Sequence, residues 1–172
     1  MFFKKYMYFE SVKYIKKLRQ PKYERLIEIC SLTDDESRVN EFNSWCTNDD
    51  NIKLLENVFP IIMSTNISSH RLGTANHTFD LVIMDEAGQC NPATALLPIA
   101  RAKQLLLVGD ANQSIYSWRN ADYRNILNFE KDYKDAKCVL LEENYRSTNN
   151  ILKAANSVIK NNNEGKKLNL WT

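Results

Sequence analysis

The side chains best suited to handling phosphate, metal or water sit at the ends of short apolar runs. Leu81-Val82-Ile83-Met84 leads into Asp85-Glu86. A carboxylate pair delivered by an apolar strand is the Walker B arrangement, in which Asp85 can hold Mg²⁺ and Glu86 can take a proton from an attacking water. Residues 104–108 lead into Gly109-Asp110, with Gln113 close behind. Gly109 would allow a sharp turn, Asp110 could reach the water shell of a metal, and a Gln amide can donate to a γ-phosphate and orient water. Tyr116, Trp118 and Arg119 follow in one loop, a combination suited to stacking single-stranded bases, worth ~1–3 kcal/mol each, with a phosphate contact beside them. Residues 137–141 lead into Glu142-Glu143-Asn144-Tyr145-Arg146-Ser147, where the planar guanidinium of Arg146 is matched to phosphate oxygens and could act as an arginine finger. After an earlier run, Thr65, Asn66, Ser68, Ser69, His70 and Arg71 make a loop suited to phosphate-backbone contacts.

Each feature has a plainer explanation. Carboxylates favour the loop after any strand, Gln113 suits a polar turn, and Trp118 and Tyr116 could plug a core. Arg146 could pair with Glu142 or Glu143, and a capped turn accounts for most of the Thr65–Arg71 loop. Two acidic strand ends together shift the balance, because neighbouring parallel strands bring their carboxyl ends, where α/β ligand sites form, to one place.

The elements that must position these groups change character along the chain. Up to about residue 56 the pattern is helical. Tyr8, Val12, Ile15 and Leu18 mark one stripe, and Thr33-Asp34-Asp35-Glu36 matches a capping box for a helix with Val39, Phe42 and Trp45 on its inner side. Pro21 and residues 47–51 read as breaks. From residue 58, continuous apolar runs at 58–64, 79–84, 104–108 and 137–141 read as strands buried on both faces of a parallel sheet. Asn91-Pro92 predicts an N-cap with Pro at the first position of a helix through Leu96 and Leu97, shortened or kinked by Pro98. Ser147 predicts the cap of an amphipathic helix carrying Ile151, Leu152, Ala155, Val158 and Ile159 and closing near Gly165. Strands alternating with helices indicate an α/β fold.

Composition narrows the class. The chain has 172 residues, 44% of them hydrophobic and 26% charged, with a net charge of +2, values of a globular protein and not of a disordered or fibrous one. That small net charge is uneven: residues 1–25 carry eight basic and two acidic side chains, residues 26–60 two and eight. The basic start could contact nucleic acid, but a solvated helix face is the favoured reading, with a contact to the acidic stretch left open. Cys30, Cys46, Cys90 and Cys138 lie 16, 44 and 48 residues apart, and His70 and His77 stand alone, so neither a zinc cluster nor a disulfide framework is expected, and the thiols are expected mostly buried. No apolar run approaches the ~18–20 residues of a membrane span. The start, Met1-Phe2-Phe3-Lys4-Lys5, has no signal-peptide pattern, which makes the cytoplasm the default.

Together the blocks resemble superfamily 1 helicases. Asp85-Glu86-Ala87-Gly88-Gln89 resembles motif II. The stretch from Gly109 through Gln113-Ser114-Ile115-Tyr116-Ser117-Trp118-Arg119 resembles motif III, and Leu141-Glu142-Glu143-Asn144-Tyr145-Arg146-Ser147-Thr148 resembles motif IV. Motifs III and IV and the tail Leu170-Trp171-Thr172 resemble the UvrD/PcrA/Rep branch, whereas Ser64-Thr65-Asn66-Ile67-Ser68 and residues 79–109 resemble the nonsense-decay-helicase branch. The resemblance covers residues 57–172. It implies a partial RecA-like P-loop NTPase sheet, preceded by a helical N-terminal segment at 1–56. Residues 57–121 would be the latter part of the first lobe (motifs Ic, II and III), and residues 122–172 a linker and the start of the second lobe.

Carried over, the resemblance implies ATP and Mg²⁺ as cofactors, with Asp85 as metal ligand and Glu86 as catalytic base. Asp110, Gln113 and Arg146 would lie at the nucleotide, Gln113 sensing the γ-phosphate and Arg146 reaching in from the second lobe. Tyr116, Trp118 and Arg119, with Thr65 and Asn66, would meet single-stranded DNA, with RNA left open. Ser117 and Asn120 replace glycines usual in motif III of the UvrD type. A larger departure is the phosphate-binding loop: with only Gly73, Gly88, Gly109 and Gly165 in the chain, no Gly-x-x-x-x-Gly-Lys-Ser/Thr is present. The chain therefore reads as the middle of a helicase, with poor ATP affinity and no unwinding expected of it alone. Two alternatives stand beside that reading: a non-catalytic nucleic-acid-binding or interaction module, and a fragment completed by a chain that supplies the Walker A loop.

Overall fold

The computed structural model describes residues 2–76, 78–163 and 168–172, without the side chains of Phe2, Phe3, Tyr6 and Arg119. The lone His77 and the helix closure expected at Gly165 lie outside the described residues. The chain divides into two compact units, Met1–Asp80 with Leu96–Lys103, and Leu81–Ala95 with Gln104–Thr172.

Helices build the first unit: α1 (Phe2–Ile15), α2 (Glu24–Cys30), α3 (Asp35–Cys46) and α4 (Asp49–Val58). The expected break falls at Gln20-Pro21, where Gln20 is extended (φ −77°, ψ 143°), as the residue before a proline must be. The cap of α3 is Asp34, one residue later than the capping box predicts. Its carboxylate accepts from the Ser37 amide at 2.7 Å, and hydrogen bonding from the Ser37 side chain and then its amide holds the Asp34 carboxyl below its ordinary range. Asn48 caps α4, its Oδ1 accepting from the amides of Asp50 at 2.8 Å and Asn51 at 3.3 Å. Asn48→Ala leaves those donors to water, so urea denaturation should show a loss of ~1 kcal/mol; an unchanged midpoint would contradict this account of α4.

The cap matters because α4 carries Ile52, Leu55 and Val58 into the core, where they meet Tyr23, Leu26 and Cys46. Leu18, Phe42 and Trp45 pack against this cluster, but Val39, Tyr8 and Ile15, expected on inner stripes, are exposed. A contact between the basic start and the acidic stretch forms through Arg25, which pairs with Glu28 at 3.1 Å and Glu41 at 2.7 Å. Exposed pairs of this kind contribute little stability. Of the four thiols only Cys46 is buried, contrary to expectation, and burial pushes its pKa up to about 11.

In the second unit β1 (Val82–Met84) pairs in parallel with β2 (Leu105–Leu107), in the register Val82↔Leu105, Ile83↔Leu106 and Met84↔Leu107. Parallel pairing requires a crossover, supplied by α5 (Pro92–Ile99). Asn91 caps α5 as predicted, its Oδ1 accepting from the Ala93 amide at 2.9 Å, and the helix ends one residue after Pro98. Two single turns, α6 (Arg124–Leu127) and α7 (Phe129–Asp132), precede α8 (Asn149–Ile159). The cap of α8 is Thr148, not Ser147, because the Ser147 amide is drawn back to Asn144 Oδ1 at 2.8 Å. Leu152 is buried on α8, whereas Ile151 and Val158 are exposed.

Two of the four expected strands do not form. Residues 59–65 and 137–142 carry no ladder, although Glu143 makes a single parallel bridge to Trp171. A continuous apolar run records suitability for burial on both faces, but a strand also needs neighbours to pair with. Met63 is 92% exposed and Val139 77%, so these runs lack that cover among the described residues. The architecture is a small parallel sheet preceded by helices: a partial RecA-like α/β fold behind a helical N-terminal segment. Among the described residues no helix is long and apolar enough to cross a membrane.

Candidate functional site

Strand β1 stops at Met84 and hands Asp85 and Glu86 to its carboxyl end; β2, in register beside it, stops at Leu107, three residues before Asp110. The two loops are tied by backbone and side chain alike. The Ala87 amide donates to the Val108 carbonyl at 2.8 Å, and the Ser114 hydroxyl donates to the Gly88 carbonyl at 2.6 Å. Gly109 makes this approach possible, since a Cβ there would lie 3.0 Å from the Ala87 nitrogen and 2.9 Å from Ile126 Cδ1. Closeness, and not a positive φ, is what glycine supplies here: among the described glycines only Gly73 has one.

Glu86 itself is left-handed, with φ 50° and ψ 41°, a conformation that costs a non-glycine residue ~1–3 kcal/mol. Its side chain is held, as Gln89 Nε2 donates to Glu86 Oε2 at 2.9 Å. Asp85 Oδ1 accepts from the Glu86 amide at 2.9 Å, and both carboxylates are exposed. Asp110 Oδ1 accepts from the Asn112 amide at 2.9 Å while its Oδ2 accepts from Gln113 Nε2 at 3.1 Å. Gln89 and Ser114 carry no role in the sequence reading. Their signal was local: a glutamine three residues after Glu86 in a tight turn, and a hydroxyl beside a glycine-bearing loop.

Could this set hold a magnesium nucleotide? Among the described residues no three His, Cys, Asp or Glu side chains gather to hold a metal. Mg²⁺, however, commonly keeps waters and takes one or two carboxylates plus phosphate oxygens, so the exposed Asp85 fits the metal side. The phosphate side has no counterpart, because the 172 residues contain no glycine-rich cradle.

The aromatic loop lies in the same unit. Trp118 is 70% exposed, which removes core plugging as its explanation, and it meets Tyr116 edge to face with centroids 6.3 Å apart. Arg124 clamps Asp122 nearby through Nε at 2.9 Å and Nη2 at 2.8 Å, holding that carboxyl below its ordinary range. Arg146 is exposed and makes no ion pair with Glu142 or Glu143 among the described residues. Glu142 Oε1 accepts instead from the Asn169 amide at 3.0 Å, and a hydrogen bond to Glu143 raises the Tyr145 pKa. Asn162 Nδ2, beyond α8, donates to Asn112 Oδ1 at 2.7 Å, beside Gln113.

Thr65 and Asn66 belong to the first unit, where the hydroxyl-rich loop bonds mainly to itself. Thr65 Oγ1 accepts from the Ser68 amide at 3.2 Å, and the buried Ser69 donates to the Asn66 carbonyl at 2.6 Å. Thr65, His70 and Arg71 are exposed, and Ser69 is not available to a phosphate.

The UvrD/REP helicase N-terminal domain matches residues 8–134, well over half of the chain. The chain belongs to the UvrD/REP helicase family. It is 53% identical over 97 residues to the ATP-dependent DNA helicase PcrA of Bacillus subtilis. It is equally similar to PcrA of Staphylococcus epidermidis and 52% identical to that of Staphylococcus aureus. Each match covers 55% of this chain and 13% of the relative. As a UvrD/REP-family chain it thus corresponds to a limited part of those helicases, and the resemblance to superfamily 1 read from the motifs is correct.

Proposed function

We propose that this chain is the hydrolysis-and-coupling portion of a superfamily 1 motor that moves along single-stranded DNA. Residues 57–121 would act as the latter part of the first lobe and 122–172 as the start of the second. The observation that carries this reading is the junction of the two loops, in which Ala87–Val108 and Ser114–Gly88 bonds join the Asp85-Glu86 strand end to the loop that continues into Trp118. A shift in one loop must then be felt in the other.

Magnesium-bound ATP supplies a phosphoryl group whose transfer to water releases the free energy for movement. Asp85 would hold the metal, and Asp110 would orient its waters. Glu86, steadied by Gln89, would accept the proton from the attacking water. Gln113 and Arg146 would donate to the phosphate oxygens, where charge-assisted bonds are strongest. Tyr116, Trp118 and Arg119 would hold the strand. A backbone cradle for the phosphates must come from another polypeptide segment carrying Gly-x-x-x-x-Gly-Lys-Ser/Thr.

The test is ATP turnover, with and without single-stranded DNA, by the chain alone and mixed with a polypeptide bearing that loop. DNA-stimulated turnover is expected only in the mixture and should vanish in Glu86→Gln. Turnover that Glu86→Gln leaves intact, or none in the mixture, excludes the hydrolytic role. The exposure of Trp118 also favours a second reading, a non-catalytic single-strand-binding module. That reading survives the second outcome only if binding is indifferent to ATP.

A further inference from the structure

Arg101 is a buried cation that no proposed step uses. It is 7% exposed and pairs with no carboxylate among the described residues. Its guanidinium meets carbonyls instead: Nη1 donates to Leu97 at 2.8 Å, Nε to Leu72 at 3.3 Å, and Nη2 to Gly73 at 3.3 Å and His70 at 3.5 Å. Three of these four acceptors belong to residues 70–73, the end of the hydroxyl-rich loop. Gly73 adopts φ 70° there and donates its amide to the Cys46 carbonyl at 2.8 Å. The Arg101 carbonyl in turn accepts from the Phe79 amide at 2.6 Å.

Burying a guanidinium without a counter-ion is costly, and a well-packed apolar side chain often stabilises such a place as well or better. What an apolar side chain cannot do is specify where three carbonyls of one turn point. The rigid fork of arginine can, since its N–H donors are fixed in one plane. The internal bonds of Thr65, Ser68 and Ser69 make the loop a unit, so fixing its exit also fixes how its exposed side chains stand.

We propose that Arg101 is the positioning residue of the 64–73 loop, holding its backbone so that Thr65, Asn66 and Arg71 meet the phosphates of a single strand. This rests on the reading that the loop contacts nucleic acid. Arg101, being buried, touches no phosphate itself. Replacing it should therefore weaken binding through the loop, by pulling Thr65, Asn66 and Arg71 away from the phosphates.

The experiment measures fluorescence anisotropy of a labelled oligo-dT with the full chain across a salt series. The variants are Arg101→Gln and, as a core truncation away from the loop, Ile29→Val in α2. Well below every unfolding transition, Arg101→Gln should bind at least about fivefold more weakly, with the log–log salt slope shallower by ~0.7 for each phosphate that the loop no longer reaches. Ile29→Val should bind as the parent chain does. The NMR signals of the His70 ring, on whose carbonyl Arg101 acts, should move in Arg101→Gln alone. If Arg101→Gln does not fold, Arg101→Lys keeps the charge without the planar fork and should still bind about threefold more weakly. Parent-like affinity and slope in the folded Arg101 variant overturn the proposal, as does an equal weakening in Ile29→Val. No binding by the parent chain removes the nucleic-acid reading of the loop, and this proposal with it.

Discussion

Gly109→Ala should destabilise the second unit by ~1–3 kcal/mol, the range for forcing an extra carbon into a packed site. The new Cβ would stand 2.9 Å from Ile126 Cδ1 and 3.0 Å from the Ala87 nitrogen. The isoleucine methyl can swing aside at small cost. The Ala87 nitrogen cannot, because its N–H is committed to the Val108 carbonyl at 2.8 Å. Either the loops separate and that bond stretches, or the strand ends shear. Both moves carry Asp85 and Glu86 away from Asp110 and Gln113, so stability and any DNA-stimulated turnover should fall together. Thermal unfolding followed by tryptophan fluorescence reads the first, and a midpoint equal to that of the parent chain would mean the loops do not touch at Gly109. Gly88 gives a milder contrast: its added Cβ would meet Ile126 Cδ1 at 3.3 Å and the Asp110 carbonyl oxygen at 3.5 Å, distances that small adjustments relieve.

Trp118→Ala should weaken single-strand binding by roughly 5- to 150-fold, the equivalent of ~1–3 kcal/mol for the removal of one base stack. The indole is 70% exposed, so its removal opens no core cavity and should barely move the unfolding midpoint. That separation makes the substitution informative: affinity should fall while stability holds. Its edge-to-face packing with Tyr116, centroids 6.3 Å apart, keeps a second ring close by, and some binding should persist for that reason. A parent-like affinity in Trp118→Ala would move the strand elsewhere on the chain. Equal falls in affinity and stability would instead make Trp118 a packing residue.

The motif-bearing strand ends were legible because their chemistry is local. Val82–Met84 is apolar, carries two β-branched residues and is followed at once by two carboxylates, while Leu105–Leu107 is equally apolar and lies three residues before Asp110. The crossover helix between them announced itself through Asn91-Pro92. What could not be read was anything that depends on distant partners. The runs 58–64 and 137–141 have strand composition, yet pairing is a property of neighbours, and Met63 and Val139 stand in solvent. The first cap slipped by one residue because Thr33, Asp34 and Asp35 offer acceptors side by side, and the second because the Ser147 amide turns back to Asn144. A glycine after a strand suggests a turn, whereas at Gly109 glycine supplies space, and no spacing rule discloses that Ile126 would lie across it. Nothing in the sequence marks Arg101, because its partners are carbonyls, which every residue carries.

Whether this chain holds single-stranded DNA through charge and stacking together decides its proposed role most directly. Anisotropy of labelled oligo-dT at about 50 mM and about 200 mM salt measures both, since phosphate contacts make the logarithm of the affinity fall linearly with log salt. The predicted result is binding at low salt that weakens with salt in the parent chain and is weaker throughout in Trp118→Ala. No binding at low salt, or binding that neither salt nor Trp118→Ala alters, would contradict the account.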